Sequence, residues 1–159
     1  MTTREQLVYQ LQALYSLYRD YLPLLEEARH ESGAGELRRL LTGLHDDIRA
    51  EMETLEQALN LLSARYKMEH SAVAAGIKEV SARFRHQMNP SREQLGIHAL
   101  LTALGTAHLA IGKYQGDIEL ARAVGEQDVA MLLEENLRRQ TQRQQELQDY
   151  APLFIQEIS

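Results

Sequence analysis

Apolar residues recur at steps of three and four through almost the whole chain, and this periodicity confines it to long α-helices. Leu7, Leu11, Leu14, Tyr18, Tyr21 and Leu25 form the first such row, widened by Val8, Tyr15 and Leu22, as the core-facing side of a bundle helix requires. The second row reads Leu37, Leu41, Leu44, Ile48, Glu51, Leu55, Ala58 and Leu62. A third carries Ile97, Leu101, Leu104, His108, Ile111, Gln115 and Ile118, and a fourth Val129, Leu133, Asn136, Gln140, Arg143, Leu147 and Tyr150. No run alternates with the period of two that a half-buried strand needs.

Turn and capping residues divide these rows. Ser32-Gly33-Ala34-Gly35 ends the first helix, within which Pro23 predicts a kink or break through its missing backbone donor. The second helix is predicted from Glu36 to about Ser63, and a short one from Ala72 to His86. Asn89-Pro90-Ser91 closes the short helix, with Ser91 as an N-cap and Gln94 three residues on. The next runs from Arg92 to Val124 and stops at Gly125; the last runs from Glu126 to Tyr150, with Pro152 at its end and an apolar tail, Leu153-Phe154-Ile155. Glycines 105, 112 and 116 weaken the third long helix, which predicts the close approach of a neighbouring helix. Two helical hairpins joined by a long connection predict an all-α, single-domain chain over 1–159, a four-helix bundle with one crossover holding a short extra helix.

Composition narrows function. The 159 residues carry 17 Lys+Arg against 23 Asp+Glu, a net charge of −6. With no clustered basic surface, a nucleic-acid partner is not expected. No run of about 20 apolar residues marks a membrane span and no charged-then-apolar leader opens the chain, so a cytoplasmic protein is expected. The absence of cysteine excludes disulfides, thiolate metal sites and cysteine catalysis. No phosphate-cradling glycine loop, nucleotide fingerprint or nucleophile–base motif is found.

The informative positions are polar residues on core rows: Tyr15 and Tyr18 in the first helix, Asp47 and Glu51 in the second, and His108 in the third long helix. The last helix adds Asn136, Gln140 and Arg143, with Glu135 and Arg139 alongside. Mid-helix positions in a bundle lie at similar depth, and buried polar groups need partners. A dinuclear iron or manganese centre takes four carboxylates and two histidines, with Glu-x-x-His pairs. The single Glu-x-x-His match, Glu27 to His30, falls at a helix end beside a turn. The favoured reading pairs Asp47, Glu51 and Glu135 with Arg139 or Arg143, with His108 as a hydrogen-bonded core histidine. Gln140, Gln144, Gln145 and Gln148 read as a solvated or interface face.

The stretch Tyr114 to Leu137, YQGDIELARAVGEQDVAMLLEENL, resembles a run in the YciE/YciF-type ferritin-like family of small bacterial proteins. Glu36 to Gln57, Leu22-Pro23 and Gly76-Ile77 are similar to that family's second helix, first helix and crossover helix. The resemblance implies a ferritin-like bundle and a stress-associated role. Transferring its metal ligands puts Tyr15, Asp47 (with Glu51 one turn on), Ala107-His108-Leu109-Ala110 and Glu135 at the ligand positions, with Arg138 and Arg139 in the following turn. Two carboxylates are lost and cations have arrived. The expectation is therefore a non-enzymatic structural or binding protein without a cofactor, whose core holds Tyr15, Tyr18, Asp47, Glu51, His108, Glu135, Arg139 and Arg143. A homodimer is expected from the apolar tail and the small-residue helix face. The alternative is an iron- or manganese-binding oxidoreductase or iron-handling protein with an altered site at Asp47, Glu51, His108 and Glu135.

Overall fold

The computed structural model describes residues 1–33 and 35–159; Ala34 of the first turn lies outside them. Five helices follow in order: α1 (Thr3–Glu31), α2 (Glu36–Leu61), α3 (Ala72–Met88), α4 (Arg92–Ala123) and α5 (Gln127–Ile158). No strand is found among the described residues. Capping boxes start α1 (Thr2 with Glu5) and α4 (Ser91 with Gln94), each satisfying two otherwise orphaned backbone donors.

The four long helices form a ring in which α1 packs on α2 and α4, and α5 on α2 and α4. Arg4 at the start of α1 pairs with Glu126 just past α4, and Arg92 at the start of α4 reaches the Glu31 carbonyl at the end of α1. These contacts set α1 and α4 antiparallel. α2 and α5 are likewise antiparallel, with Asp47 opposite Arg143 and Glu51 opposite Asn136 and Gln140. The crossover must therefore run most of the length of the bundle, and α1 holds it down. Arg19 donates to the Lys67 and Glu69 carbonyls, Gln12 to the Arg65 carbonyl, and Asp20 accepts from the Ser71 amide at 2.7 Å. Farther along, Arg85 of α3 pairs with both Glu27 and Glu31.

At both prolines inside helices the structure differs from the periodicity reading. α1 continues through Pro23, flanked by the buried Tyr18, Tyr21 and Leu25. α5 continues through Pro152 to Ile158, where Phe154 of the expected tail docks within the chain while Leu153 stays exposed. Phe154 stacks on Tyr150 with ring centroids 5.6 Å apart and packs against Gly96 and Leu37. A Cβ at Gly96 would lie 2.9 Å from that ring, so the glycine is what lets α5 close on α4. Packing outweighs the local proline cost of about 3 kcal/mol in both places. The other α4 glycines differ: a Cβ at Gly105, Gly112 or Gly116 would meet nothing within 4 Å. α4 is also long and apolar enough, by length and composition, to cross a membrane, with 39% of its most apolar stretch buried in the bundle.

Candidate functional site at the bundle centre

Among the described residues of the core rows, Glu51 is the only fully buried charged side chain, at 0% exposure. Its place follows from the α2 row, where it substitutes for a leucine between Ile48 and Leu55. The groups that reach it are uncharged. The Tyr18 hydroxyl donates to Oε1 at 2.9 Å, and the Gln140 amide donates to Oε2 at 2.7 Å. The Tyr114 hydroxyl lies close by and favours the charged form of the same carboxylate. Asn136, itself buried, donates to the Glu51 backbone carbonyl at 3.1 Å and to the Tyr114 hydroxyl at 3.2 Å. Gln140 Oε1 is buried without a partner.

Burial pushes the Glu51 carboxyl up to about 7, outweighing the lowering effects of Gln140, Tyr114 and Tyr18 and the more distant attraction of Arg139. Burial likewise drives the Tyr18 and Tyr114 hydroxyls well above the ordinary tyrosine range, reinforced by the carboxylate between them. Both phenols therefore stay protonated and donate.

The other sequence candidates lie elsewhere. Tyr15 is buried, but its hydroxyl donates outward to Glu56 at 2.7 Å and its ring stacks on Tyr66 of the crossover. Asp47 and Arg143 do pair, at 2.8 Å, on the half-buried flank of the α2–α5 seam, where Arg143 also reaches Glu146. Gly43 makes that pair possible, since a Cβ there would collide with the Arg143 guanidinium. Arg139 donates to Asn136 Oδ1 at 3.0 Å and to Glu135 at 3.3 Å, so it buttresses the network from outside. Glu135 and His108 are exposed, and His108 meets only Gln144, at 3.2 Å. The expected arginine partner of Glu51 is thus replaced by neutral donors. A guanidinium at that depth would have to shed its water as well, which costs several kcal/mol per ion. Glu27 is taken by Arg85, and His30 is an exposed neighbour of Glu26.

Tyr114 and Asp117 went unremarked in the sequence rows. Both fall on a second face of α4 that its small residues disguise, and Asp117 is 4% exposed with Oδ2 unpartnered. Gln140, on the fourth core row but also grouped with a solvated or interface face, is buried.

A dinuclear cation site requires lone pairs converging on the metals. Here hydroxyl and amide hydrogens converge on one carboxylate instead. Among the described residues, no three His, Asp or Glu side chains are grouped so as to hold a metal ion. The residues present do not fit a dinuclear centre.

A family model described as "Domain of unknown function (DUF892)" matches residues 2–158, nearly the whole chain. The chain belongs to the DUF892 family. Solved structures place this DUF892 chain among YciF-type ferritin-like bundles. The Escherichia coli stress protein YciF superposes with a TM-score of 0.87 at 18% identity, covering 98% of each chain. YcfI from Rhodopseudomonas palustris gives 0.85 at 18% identity, over 93% of this chain and 94% of that one. Dps from Thermosynechococcus elongatus gives 0.65 at 16% identity, over 94% and 92%. At these identities the likeness establishes the fold. No curated protein matches the sequence significantly.

Proposed function

We propose that this DUF892 protein is a ferritin-like structural and binding protein whose bundle centre carries out no metal chemistry. The observation that carries this reading is the donor set around Glu51: Tyr18 and Gln140 spend their hydrogens on the one carboxylate available, with the Tyr114 hydroxyl beside them. YciF is named as a stress protein and YcfI has been put forward as a structural protein; a stress-associated cytoplasmic role for this chain is part of the same proposal. Protein purified without chelator and titrated with Fe(II) or Mn(II) is expected to bind neither ion stoichiometrically, as read by metal analysis after desalting. Tight binding of two ions per chain, lost in an Asp47→Ala/Glu135→Ala variant, would overturn the reading and restore the iron- or manganese-dependent alternative.

The reading includes a homodimer built on α4. Leu101 and Leu109 are 52% and 37% exposed on a face they share with Gly105, His108, Gly112 and Gly116. Each helix glycine costs about 1 kcal/mol relative to alanine, and nothing within the chain offsets it here. An antiparallel second α4 would set Leu101 over Gly116 and Gly105 over Gly112, a self-complementary order suited to a two-fold axis. Light scattering at micromolar concentration is expected to give a dimer that becomes monomeric in Gly112→Glu. A wild-type monomer would remove this part.

A further inference from the structure

Away from the bundle centre, α1, α3 and the first turns of α4 flank a half-open cavity of about 210 Å³. Its walls include Tyr21, Leu24, Leu25, Leu95 and Ala99. At one side Ser81 Oγ lies 3.0 Å from His98 Nε2, and the Phe84 ring is stacked on His98 with centroids 4.6 Å apart and planes 11° apart. Nothing at the Glu51 network uses these groups.

We propose that this cavity binds a small, uncharged aromatic molecule that donates one hydrogen bond to Ser81. Size sets the first limit. An apolar cavity of roughly 150 Å³ accommodates benzene, so this one suits a fused two-ring molecule. Charge sets the second. Arg85 lines the cavity with both its terminal nitrogens engaged, by Glu27 at 2.8 Å and Glu31 at 2.5 Å. Burial, then the neighbouring Arg85, lowers the His98 ring below the ordinary histidine range, so it is neutral at pH 7. Lys78 is at the rim and exposed to water. A charged ligand would surrender hydration against an arginine already paired and a lysine whose charge stays in water.

Hydrogen bonding sets the third limit. With the His98 proton on Nδ1, Ser81 donates to Nε2, and its oxygen is left as an acceptor facing the cavity. The ligand must then bring an N–H or O–H. The Phe84 stack holds the ring, and through it the hydroxyl, in one orientation.

Indole tests all three limits on the intact protein, against benzofuran, which has its shape without the donor, and against the indole-3-acetate anion and the tryptamine cation. Titrations followed by ligand-observed NMR and the His98 resonances are expected to show saturable indole binding. Benzofuran is expected to bind about fivefold more weakly, as loss of one hydrogen bond implies, and both ions at least about tenfold more weakly. Ser81→Ala should lower indole to the level of benzofuran while leaving benzofuran unchanged. Ala99→Phe, with unchanged helicity, should block both. Equal affinity for indole and benzofuran, tighter binding of either ion, or indole binding that survives both substitutions would overturn the proposal, as would no binding at all.

Discussion

Replacing Glu51 by glutamine is expected to leave the fold intact and to remove the part of the pH-dependent stability that Glu51 carries between about pH 4.5 and 7. In the wild-type chain the carboxyl titrates at about 7 when folded, against an ordinary value of 4.5. Between those values the folded state holds a proton that the unfolded state has released. Stability is thus fully present below pH 4.5 and falls as pH rises through 7, by on the order of 3 kcal/mol. Glutamine mimics the protonated acid, and the Gln140 amide can turn so that its unpartnered Oε1 accepts from the new side chain. At pH 8 the variant should therefore be the more stable protein by a similar amount. Glu51→Ala should behave oppositely. It strands the Tyr18 and Gln140 donors and opens a void, at a cost of about 3 kcal/mol or more. Urea melts at pH 5 and pH 8 measure both effects. A glutamine variant that loses several kcal/mol at both would mean that the carboxylate is charged and paired with a cation.

Asp117 gives the second large effect. Its carboxyl is buried on α4, Oδ2 has no partner, and burial raises it to about 6 despite the attraction of Lys113. Its contribution has the same sign: stability is present below the ordinary value of 3.8 and lost as pH rises through 6. Asp117→Asn is expected to stabilise the protein at pH 7 by roughly 2 kcal/mol, since a neutral amide sheds the burial penalty of the charge. With Glu51→Gln in the same chain, the two gains should add, because the sites share no hydrogen-bond partner. Destabilisation by Asp117→Asn in denaturant melts would show instead that the carboxylate is held by a group of opposite charge.

The long helices, their order and the crossover could be read from spacing alone because the rows of α1, α2 and α5 keep their period through the few polar residues that interrupt them. Proline was the misleading signal. Pro23 and Pro152 break local rules that buried neighbours on either side override, and nothing in the neighbouring letters tells how much those neighbours bury. At the centre, the row position of Glu51 marked it as internal, but its partners could not be read. Arg139 and Arg143 lie within a turn of the correct level, yet a guanidinium can leave a seam for water where an amide such as Gln140 cannot gain as much. One turn of rotation on α5 therefore decides which of them faces inward. Tyr114 and Asp117 escaped notice because α4 is lined with alanine and glycine on several sides, which blurs the contrast that defines a buried face. His108 fell on the row nearest to the family pattern and proved exposed for the same reason.

The account depends on the charge state of one side chain, and carboxyl ¹³C NMR of Glu51 reports it most directly. A titration midpoint near 7 that does not move when diamagnetic Zn(II) is added is the expected result. A midpoint in the ordinary range near 4.5, or a resonance that shifts stoichiometrically with zinc, would contradict it.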